Sequence, residues 1–222
     1  MKGKHVILAS LVALVLLSTA ACQPGAATVN TSRKSIVVTY SILGSIVKDL
    51  VGDKANVTVS IPNGLDPHEW EPSAKDIETI NKADLVIENG LGLEGGMDKT
   101  LETARNNGVK FFTASDYITV RHVGTGEGIP SGDPDQVVGA ADPHLWMDPL
   151  NMKSIVAALV PELMQDLGLD VSSQALDLEN RLDNLNDEVA GIVATIPQDN
   201  SKLVTGHESM GYFAQRYGFI LV

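Results

Sequence analysis

Cysteine and basic residues are scarce in this sequence of 222 residues, and both shortages exclude whole classes of protein. The single cysteine, Cys22, cannot form an internal disulfide, so a disulfide-stapled fold is excluded. The 16 Lys and Arg are outnumbered by 28 Asp and Glu, which gives a formal net charge of −12 at pH 7. Such a surface repels phosphate backbones, and we expect no nucleic-acid partner. Apolar side chains make up 44% of the sequence, which is enough for a sizeable buried core.

The apolar run at the start of the chain is short and is typical of a secretory signal. Lys2 and Lys4 form a basic beginning, and the apolar run 6–17 follows. Its twelve residues are fewer than the roughly 20 that a helix needs to cross a bilayer. The small residues 19–21 then form a cleavage site. We therefore predict a signal peptide over residues 1–21.

Cys22 directly follows this cleavage site, and its position resembles the lipobox of bacterial lipoproteins, in which the new N-terminal cysteine is lipidated. Lipoboxes usually carry Leu where this chain has Thr19, so ordinary cleavage that leaves a free thiol is the alternative. Residues 22–34 are small, polar and aperiodic. They predict a flexible tether between a membrane anchor and a folded body.

Short apolar segments alternate with helical patterns through the next part of the chain. The apolar segments have the length and composition of buried strands, and the helical patterns carry apolar residues on one face. The predicted strands are 35–40, 57–61, 84–88 and 109–113, and the predicted helices are 42–51, 73–82 and 97–106. This alternation predicts an α/β fold in which helices cover both faces of a mostly parallel sheet. We assign residues 35–168 to this N-terminal lobe.

Two longer helical patterns follow a loop over 119–142 that is rich in Gly, Pro and acidic residues. The first, 151–167, is amphipathic and ends at Gly168. The second, 172–196, would be about 37 Å long, and we interpret it as an interlobe helix. Beyond it, residues 197–222 predict the start of a C-terminal lobe. Its predicted elements are a strand at 202–204, a helix at 210–217 and a strand at 219–222.

Two of the five histidines lie in nearly identical settings. The pattern D-P-H-x-W occurs at 66–70, here called the first motif, and at 142–146, the second motif, and these contain both Trp residues. A metal-binding imidazole needs its other ring nitrogen held by a carboxylate or carbonyl, and Asp66 and Asp142 are placed to provide this. Trp can shield such a site from water, and Pro stiffens its backbone. The alternative is that each His caps a turn or packs against its Trp.

A third histidine, His207, follows the predicted strand 202–204. His68 of the first motif also follows a predicted strand. Ligands of open α/β sheets bind at the carboxyl ends of strands, so we expect both on ligand-bearing loops. Together with His144 of the second motif, three neutral imidazoles would form most of a Zn²⁺ coordination shell. His122 lacks a comparable context, and we interpret it as an ordinary loop residue.

Four segments together resemble the metal-type solute-binding proteins of bacterial ABC transporters, the zinc and manganese family also described as adhesin-like lipoproteins. The resemblance covers residues 35 to 222. It rests on D-P-H-E-W-E-P at 66–72, K-A-D-L-V-I-E-N-G-L-G-L-E at 82–94, D-P-H-L-W-M-D-P at 142–149 and H-E-S-M-G-Y-F-A-Q-R-Y-G at 207–218. Gly96 departs from the pattern, because relatives commonly carry Trp there.

The resemblance implies two α/β lobes joined by one long helix, with a metal ion bound between them. His68, His144 and His207 match three of the family's metal ligands, and the fourth is a carboxylate late in the second lobe, for which this chain has no counterpart. His at the third position favours Zn²⁺, with Mn²⁺ next. The loop at 121–142 carries only one His, so we do not expect it to scavenge metal through histidines.

The function that the resemblance implies is an extracytoplasmic receptor and not an enzyme, with no catalytic residues. It would be a monomer, anchored to the bacterial membrane through a lipid on Cys22, and would deliver Zn²⁺ or Mn²⁺ to an ABC permease. Two alternatives remain open. A zinc hydrolase would keep water at the fourth position, with Glu208 or Glu71 as general base. A surface adhesion module would use its histidines structurally and would hold no stoichiometric metal.

Overall fold

The computed structural model describes residues 33–127 and 134–222. The predicted signal peptide, Cys22 and the tether up to residue 32 lie outside the described residues. The strands are β1 (Lys34–Val38), β2 (Ala55–Val59), β3 (Leu85–Glu88), β4 (Lys110–Thr113), β5 (Lys202–Leu203) and β6 (Ile220–Leu221). The α-helices are α1 (Ser41–Val51), α2 (Ala74–Asn81), α3 (Asp98–Asn106), α4 (Pro149–Leu167), α5 (Ser172–Val193) and α6 (Gly211–Tyr217).

Four strands form one parallel sheet in the order β2-β1-β3-β4. Its central strands consist of nearly continuous apolar residues that are fully buried, such as Val37 and Val86, because helices cover both faces. The α/β class and the parallel sheet are therefore confirmed. A second parallel pair, β5 and β6, follows later in the chain.

The strand order creates a crevice at the carboxyl ends of the strands. Because β1 lies between β2 and β3, the connections that leave β1 and β3 run to opposite sides. Ligand sites of open α/β sheets form at such a point, outside the carboxyl ends of the strands. The loop after β2 carries the first motif, and the loop after β3 begins with the buried Asn89.

Local sequence explains where the helices begin and end. Helix α2 begins with a capping box, in which Ser73 and Asp76 each bond to the backbone of the other. Asp148 caps the start of helix α4, since its carboxylate accepts the N–H of Leu150 at 2.9 Å, and Pro149 occupies the first position of the helix. Gly168 ends the same helix in a left-handed conformation. These three helix ends follow the rules for capping residues closely.

Helix α5 is shorter than predicted and changes character along its length. It ends at Val193 instead of residue 196, because the last three residues before Pro197 form turns. In its first half, Leu178 and Leu182 are buried against the body of the sheet and its helices. Further along, Ile192 is exposed. The role of this helix as an interlobe connector, and the lobe boundaries, stay predictions.

Strand boundaries also differ from the sequence pattern, most of all in β1 and β2. β1 and β2 pair from Lys34↔Ala55 to Val38↔Val59, so both strands begin and end earlier than predicted. Beyond this register Tyr40 precedes α1 and turns the chain away from the sheet. In the part of the chain that the structure describes, no helix has the combined length and apolar character to cross a membrane.

Candidate metal centre

The structure brings together the three histidines that the sequence singled out. The Nε2 atoms of His144 and His207 lie 3.0 Å apart. The ring centroid of His68 lies 5.6 Å from that of His144 and 5.4 Å from that of His207. His122 is exposed and pairs with Ala141 through an antiparallel backbone bridge, outside this cluster.

In the second motif, Asp142 orients the ring of His144. Its Nδ1 atom lies 2.9 Å from Asp142 Oδ1, and the same oxygen accepts the backbone N–H of His144 at 2.9 Å. The carboxylate therefore favours the tautomer in which Nδ1 carries the proton and Nε2 offers its lone pair to the centre. Trp146 contacts the ring edge-on with centroids 5.4 Å apart. His144 is buried, as a shielded ligand should be.

Arg121 pairs with the Asp142 oxygen that does not contact His144, a role that the sequence analysis did not predict. Its Nη1 atom donates to Asp142 Oδ2 at 3.0 Å, and its other terminal nitrogen pairs with Glu127. Tyr212 of α6 joins the same network, since its hydroxyl accepts the N–H of Arg121 at 3.0 Å and donates to the Asp142 carbonyl at 3.2 Å. The network holds Asp142, and through it His144, in one geometry.

Gly211 allows α6 to approach this network. A Cβ at that position would lie 2.1 Å from Arg121 Nη1 and 2.3 Å from Asp142 Oδ2. Any side chain would displace the ion pair, so only glycine fits. The glycine in H-E-S-M-G therefore accommodates the second motif, although Gly211 and Asp142 are 69 positions apart in the sequence.

The first motif is arranged differently. The Asp66 carboxylate accepts the backbone N–H of His68 at 2.9 Å, and among the described residues no hydrogen bond joins it to the imidazole ring that the sequence analysis expected it to orient. The backbone of the motif packs directly on Gly96, where a Cβ would lie 2.3 Å from the carbonyl oxygen of Trp70. This contact explains why Gly96 carries no side chain.

The free ring nitrogen of His68 is directed into the cluster. Its Nε2 atom is buried and has no hydrogen-bond partner among the described residues. Burial lowers the pKa of His68, and the nearby His144 adds to this, while Asp135 opposes it. The neutral imidazole is therefore favoured, which is the form that binds a metal ion.

Asp135 is a fourth member of the cluster that the sequence analysis did not single out. Its Oδ2 atom lies 3.7 Å from His68 Nε2 and 3.9 Å from His207 Nε2. One nitrogen or oxygen from each of the four residues, His144 included, lies within 4.8 Å of the others. Asp135 belongs to a short 3-10 helix, Pro134–Gln136, in the acidic loop. The acidic composition of the loop was visible in the sequence, but its distance from the histidines was not.

Three imidazoles and one carboxylate form a ligand set suited to a divalent transition metal. Zn²⁺ binds His nitrogen at about 2.0–2.1 Å, so adjacent ligands of a tetrahedral ion lie about 3.4 Å apart. The separations of 3.0, 3.7 and 3.9 Å between the ligand atoms of the cluster lie around that value. The four residues, whose ligand atoms all lie within 4.8 Å of one another, are therefore close enough to share one ion.

Comparisons with known proteins agree with this geometry. The family described as zinc-uptake complex component A, periplasmic (ZnuA), matches residues 36–222. The manganese ABC transporter substrate-binding lipoprotein PsaA of Streptococcus pneumoniae is 31% identical over 98% of this chain and 70% of its own length. The manganese-binding lipoprotein MntA of Halalkalibacterium halodurans is 28% identical over 97% of this chain and 69% of its own length.

A solved structure supports the same relationship. The Zn(II)-bound ZnuA-like domain of Streptococcus pneumoniae AdcA superposes with a TM-score of 0.67 at 26% identity, covering 86% of this chain and 66% of that chain. The match to the family extends over nearly all of the described residues. The chain therefore belongs to the ZnuA family of metal-binding components of uptake systems.

Proposed function

We propose that His68, His144 and His207 bind one divalent transition-metal ion, with Zn²⁺ favoured and Mn²⁺ next, and that this ion is the cargo of the protein. The observation that carries the proposal is the convergence of three imidazole rings, with centroids 5.0–5.6 Å apart, from three separate segments of the chain. A buried Nε2 atom of His68 without a hydrogen-bond partner among the described residues supports it. Such an atom would be costly to bury unless an ion or water satisfied it.

The chain is a metal-binding receptor for ABC import, and it is not an enzyme. Its relatives are substrate-binding lipoproteins of metal ABC transporters, so its partner is an import permease. In this role the receptor binds the ion outside the cytoplasm and transfers it unchanged. Bond chemistry is not required for this role.

The location follows from the same relationship. Relatives named lipoproteins imply that this chain works outside the cytoplasm. We further propose that Cys22 carries the lipid, that residues 22–34 form the tether, and that the receptor acts as a monomer. Mass spectrometry of the membrane-bound protein tests the anchor, because a lipidated Cys22 adds the mass of its acyl chains and Cys22→Ala would release the protein from the membrane.

The hydrolase alternative has little support. It requires a water molecule at the fourth position and a general base beside it. The Asp135 carboxylate lies 3.7 Å and 3.9 Å from two of the imidazoles, and it would compete with that water for the ion. Glu71, one of the two candidate bases, is exposed. The adhesion alternative differs in predicting no stoichiometric metal.

The test is a measurement of metal content and affinity on the purified chain. Elemental analysis gives the number of ions for each chain, and competitive titration gives the affinities for Zn²⁺ and Mn²⁺. We expect one tightly held ion, bound more tightly as Zn²⁺ than as Mn²⁺. A chain that holds no ion from either solution would contradict the receptor function and favour the adhesion alternative.

A further inference from the structure

We infer that Arg216 is a positioning residue of the metal site, whose ion pair with Asp148 sets where His207 stands beside the second motif. His144 of that motif belongs to the predicted N-terminal lobe and His207 to the predicted C-terminal lobe, yet their Nε2 atoms lie 3.0 Å apart. The inference rests on the proposed function, since it concerns how the same site is assembled, and it adds no ligand.

The ring of His207 lacks the support that the ring of His144 has. Asp142 bonds to the ring of His144 at 2.9 Å. Among the described residues, the ring of His207 has one contact at hydrogen-bond distance, which is with the Nε2 atom of His144 itself. The His207 side chain is also 38% exposed, against 4% for that of His144. The position of His207 must therefore be set through its backbone, by the helix that follows it.

The ion pair joins helix α6, which contains Arg216, to the start of helix α4, which Asp148 caps. The Nε atom of Arg216 donates to Asp148 Oδ2 at 2.8 Å, and its Nη2 atom lies 2.6 Å from the same oxygen. The other oxygen, Oδ1, accepts the N–H of Leu150. The Asp148 side chain is only 7% exposed, and a buried carboxylate is costly unless it is paired. One carboxylate is thus bonded to α4 and to α6 at once.

Arg216 is the second of two anchors on one face of α6. Tyr212, one helical turn earlier, donates its hydroxyl to the Asp142 carbonyl at 3.2 Å. Asp142 precedes His144 by two positions, and Asp148 follows it by four. The two anchors therefore contact the chain on both sides of His144. Two points of attachment fix the tilt of α6 as well as its position.

Only a short connection separates α6 from the third histidine. The helix begins at Gly211, four positions after His207, and it packs on the turn Leu145–Met147 that leads into α4. Within the connection, Ser209 donates its N–H to the His207 carbonyl at 2.8 Å. A connection this short passes the position of the helix on to the imidazole. Arg216 thus acts on the metal ion through His207.

The gain in affinity comes from preorganisation. Ligands that the protein framework already holds at a binding separation lose less freedom when an ion binds. The planar guanidinium of Arg216 provides two donors to Asp148, whereas the ammonium of lysine is a single point charge on a flexible stem. Lysine at this position would keep the charge and lose the two-point contact. Arg216→Lys therefore separates the effect of charge from the effect of geometry.

The experiment is a double-mutant cycle on Zn²⁺ affinity, measured by competitive titration on the full chain. Arg216→Gln is made alone, together with His207→Ala and together with His68→Ala. Arg181→Gln is the matched control, because it breaks another arginine–aspartate pair, with Asp49 at 2.9 Å, whose two side chains are exposed. Metal-free melting curves identify the variants that fold. If Arg216→Gln does not fold, Arg216→Lys replaces it in the cycle.

The two histidine backgrounds separate a positioning role from a general loss of stability. Arg216→Gln alone should weaken Zn²⁺ binding about 10- to 100-fold, Arg216→Lys should weaken it less, and Arg181→Gln should leave it unchanged. In His207→Ala the positioned imidazole is gone, so Arg216→Gln should cost no more than about twofold further. In His68→Ala it should still cost about 10- to 100-fold.

Equal losses in the two backgrounds, or full affinity in Arg216→Gln, overturn the inference. In either case the proposed function stands if the unaltered chain binds Zn²⁺ tightly and His68→Ala binds it weakly. An unaltered chain that does not bind Zn²⁺ overturns both.

Discussion

The first and second motifs share the pattern D-P-H-x-W but hold their histidines in different ways. In the second motif Asp142 bonds to the His144 ring at 2.9 Å and is itself held by Arg121. In the first motif the Asp66 carboxylate bonds only to the backbone of His68, at 2.9 Å. The His144 ring is thus held by a hydrogen bond, whereas no hydrogen bond among the described residues holds the ring of His68. One sequence pattern thus supplies a preset ligand and an adjustable ligand.

Removing the ligands themselves should have the largest effect. His144→Ala and His68→Ala each delete one imidazole, and we expect each to weaken Zn²⁺ binding by more than the 10- to 100-fold typical of lost supporting groups. The loss should be larger for His144, because it is the preset ligand. Competitive titration measures both, and His122→Ala, at an exposed histidine, is the control. Equal losses in all three variants would contradict the assignment of the site.

The carboxylates of the two motifs provide a sharper comparison. Asp142→Asn removes the charge that orients the His144 ring and pairs with Arg121, so we expect Zn²⁺ affinity to fall about 10- to 100-fold. Asp66→Asn should have a much smaller effect, because its carboxylate does not bond to the ring. Titration of the two variants gives the comparison, with metal-free melting curves to confirm folding. Matching losses would mean that the motifs work alike.

Gly211→Ala should disturb the second motif alone. The added Cβ would lie 2.1 Å from Arg121 Nη1, and the resulting rearrangement should destabilise the chain by about 1–3 kcal/mol. Zn²⁺ affinity should fall with it. Denaturant unfolding without metal measures the first effect, and titration measures the second. Gly191→Ala is the control, because a Cβ there meets nothing within 4 Å. A Gly211→Ala protein as stable as the control would refute the proposed contact.

The smallest effect concerns the core beneath the second motif. Asn89 donates its side-chain N–H to the Pro143 carbonyl at 2.9 Å and its backbone N–H to Glu94 at 2.7 Å. Burial raises the pKa of Glu94 to about 7, although bonds from Thr39 and Asn89 oppose the shift. The folded state therefore binds this proton more tightly than the unfolded state does.

The sign of the pH dependence follows from that shift. The stabilising contribution is complete below the ordinary carboxyl value of 4.5 and is lost as the pH rises through about 7. We expect the metal-free chain to lose on the order of 1–2 kcal/mol between pH 5 and pH 7 from this group. Glu94→Gln should remove that part of the dependence. Denaturant unfolding at several pH values measures it, and an unchanged slope in the variant would contradict the account.

Much of the fold was predictable because local patterns and sheet rules act together. The buried strand of β3 and the capping box of α2 appear in the sequence as they do in the structure. Element ends were less predictable, because pairing between strands sets the register. β1 ends at Val38 where the apolar pattern continues to residue 40. Only the tertiary structure decides where the chain leaves the sheet.

The site was predictable where a repeated motif marks it. His68 and His144 share one pattern, and His207 follows a strand, so their convergence could be expected. Asp135 and Arg121 could not be identified, because their roles depend on how a long loop folds back onto the histidines. No spacing in the sequence encodes a distance across such a loop. Physical contact between segments far apart in the chain supplies that part of the site.

The most direct test of the central claim is zinc K-edge X-ray absorption on the zinc-loaded chain. Imidazole rings give a characteristic scattering pattern from their outer atoms, and the first shell gives the ligand distances. We predict three imidazoles and one oxygen ligand at about 2.0–2.2 Å for each zinc ion, and two imidazoles in His144→Ala. A spectrum with one imidazole or none, or one that His144→Ala leaves unchanged, would contradict the claim that these three histidines bind the metal.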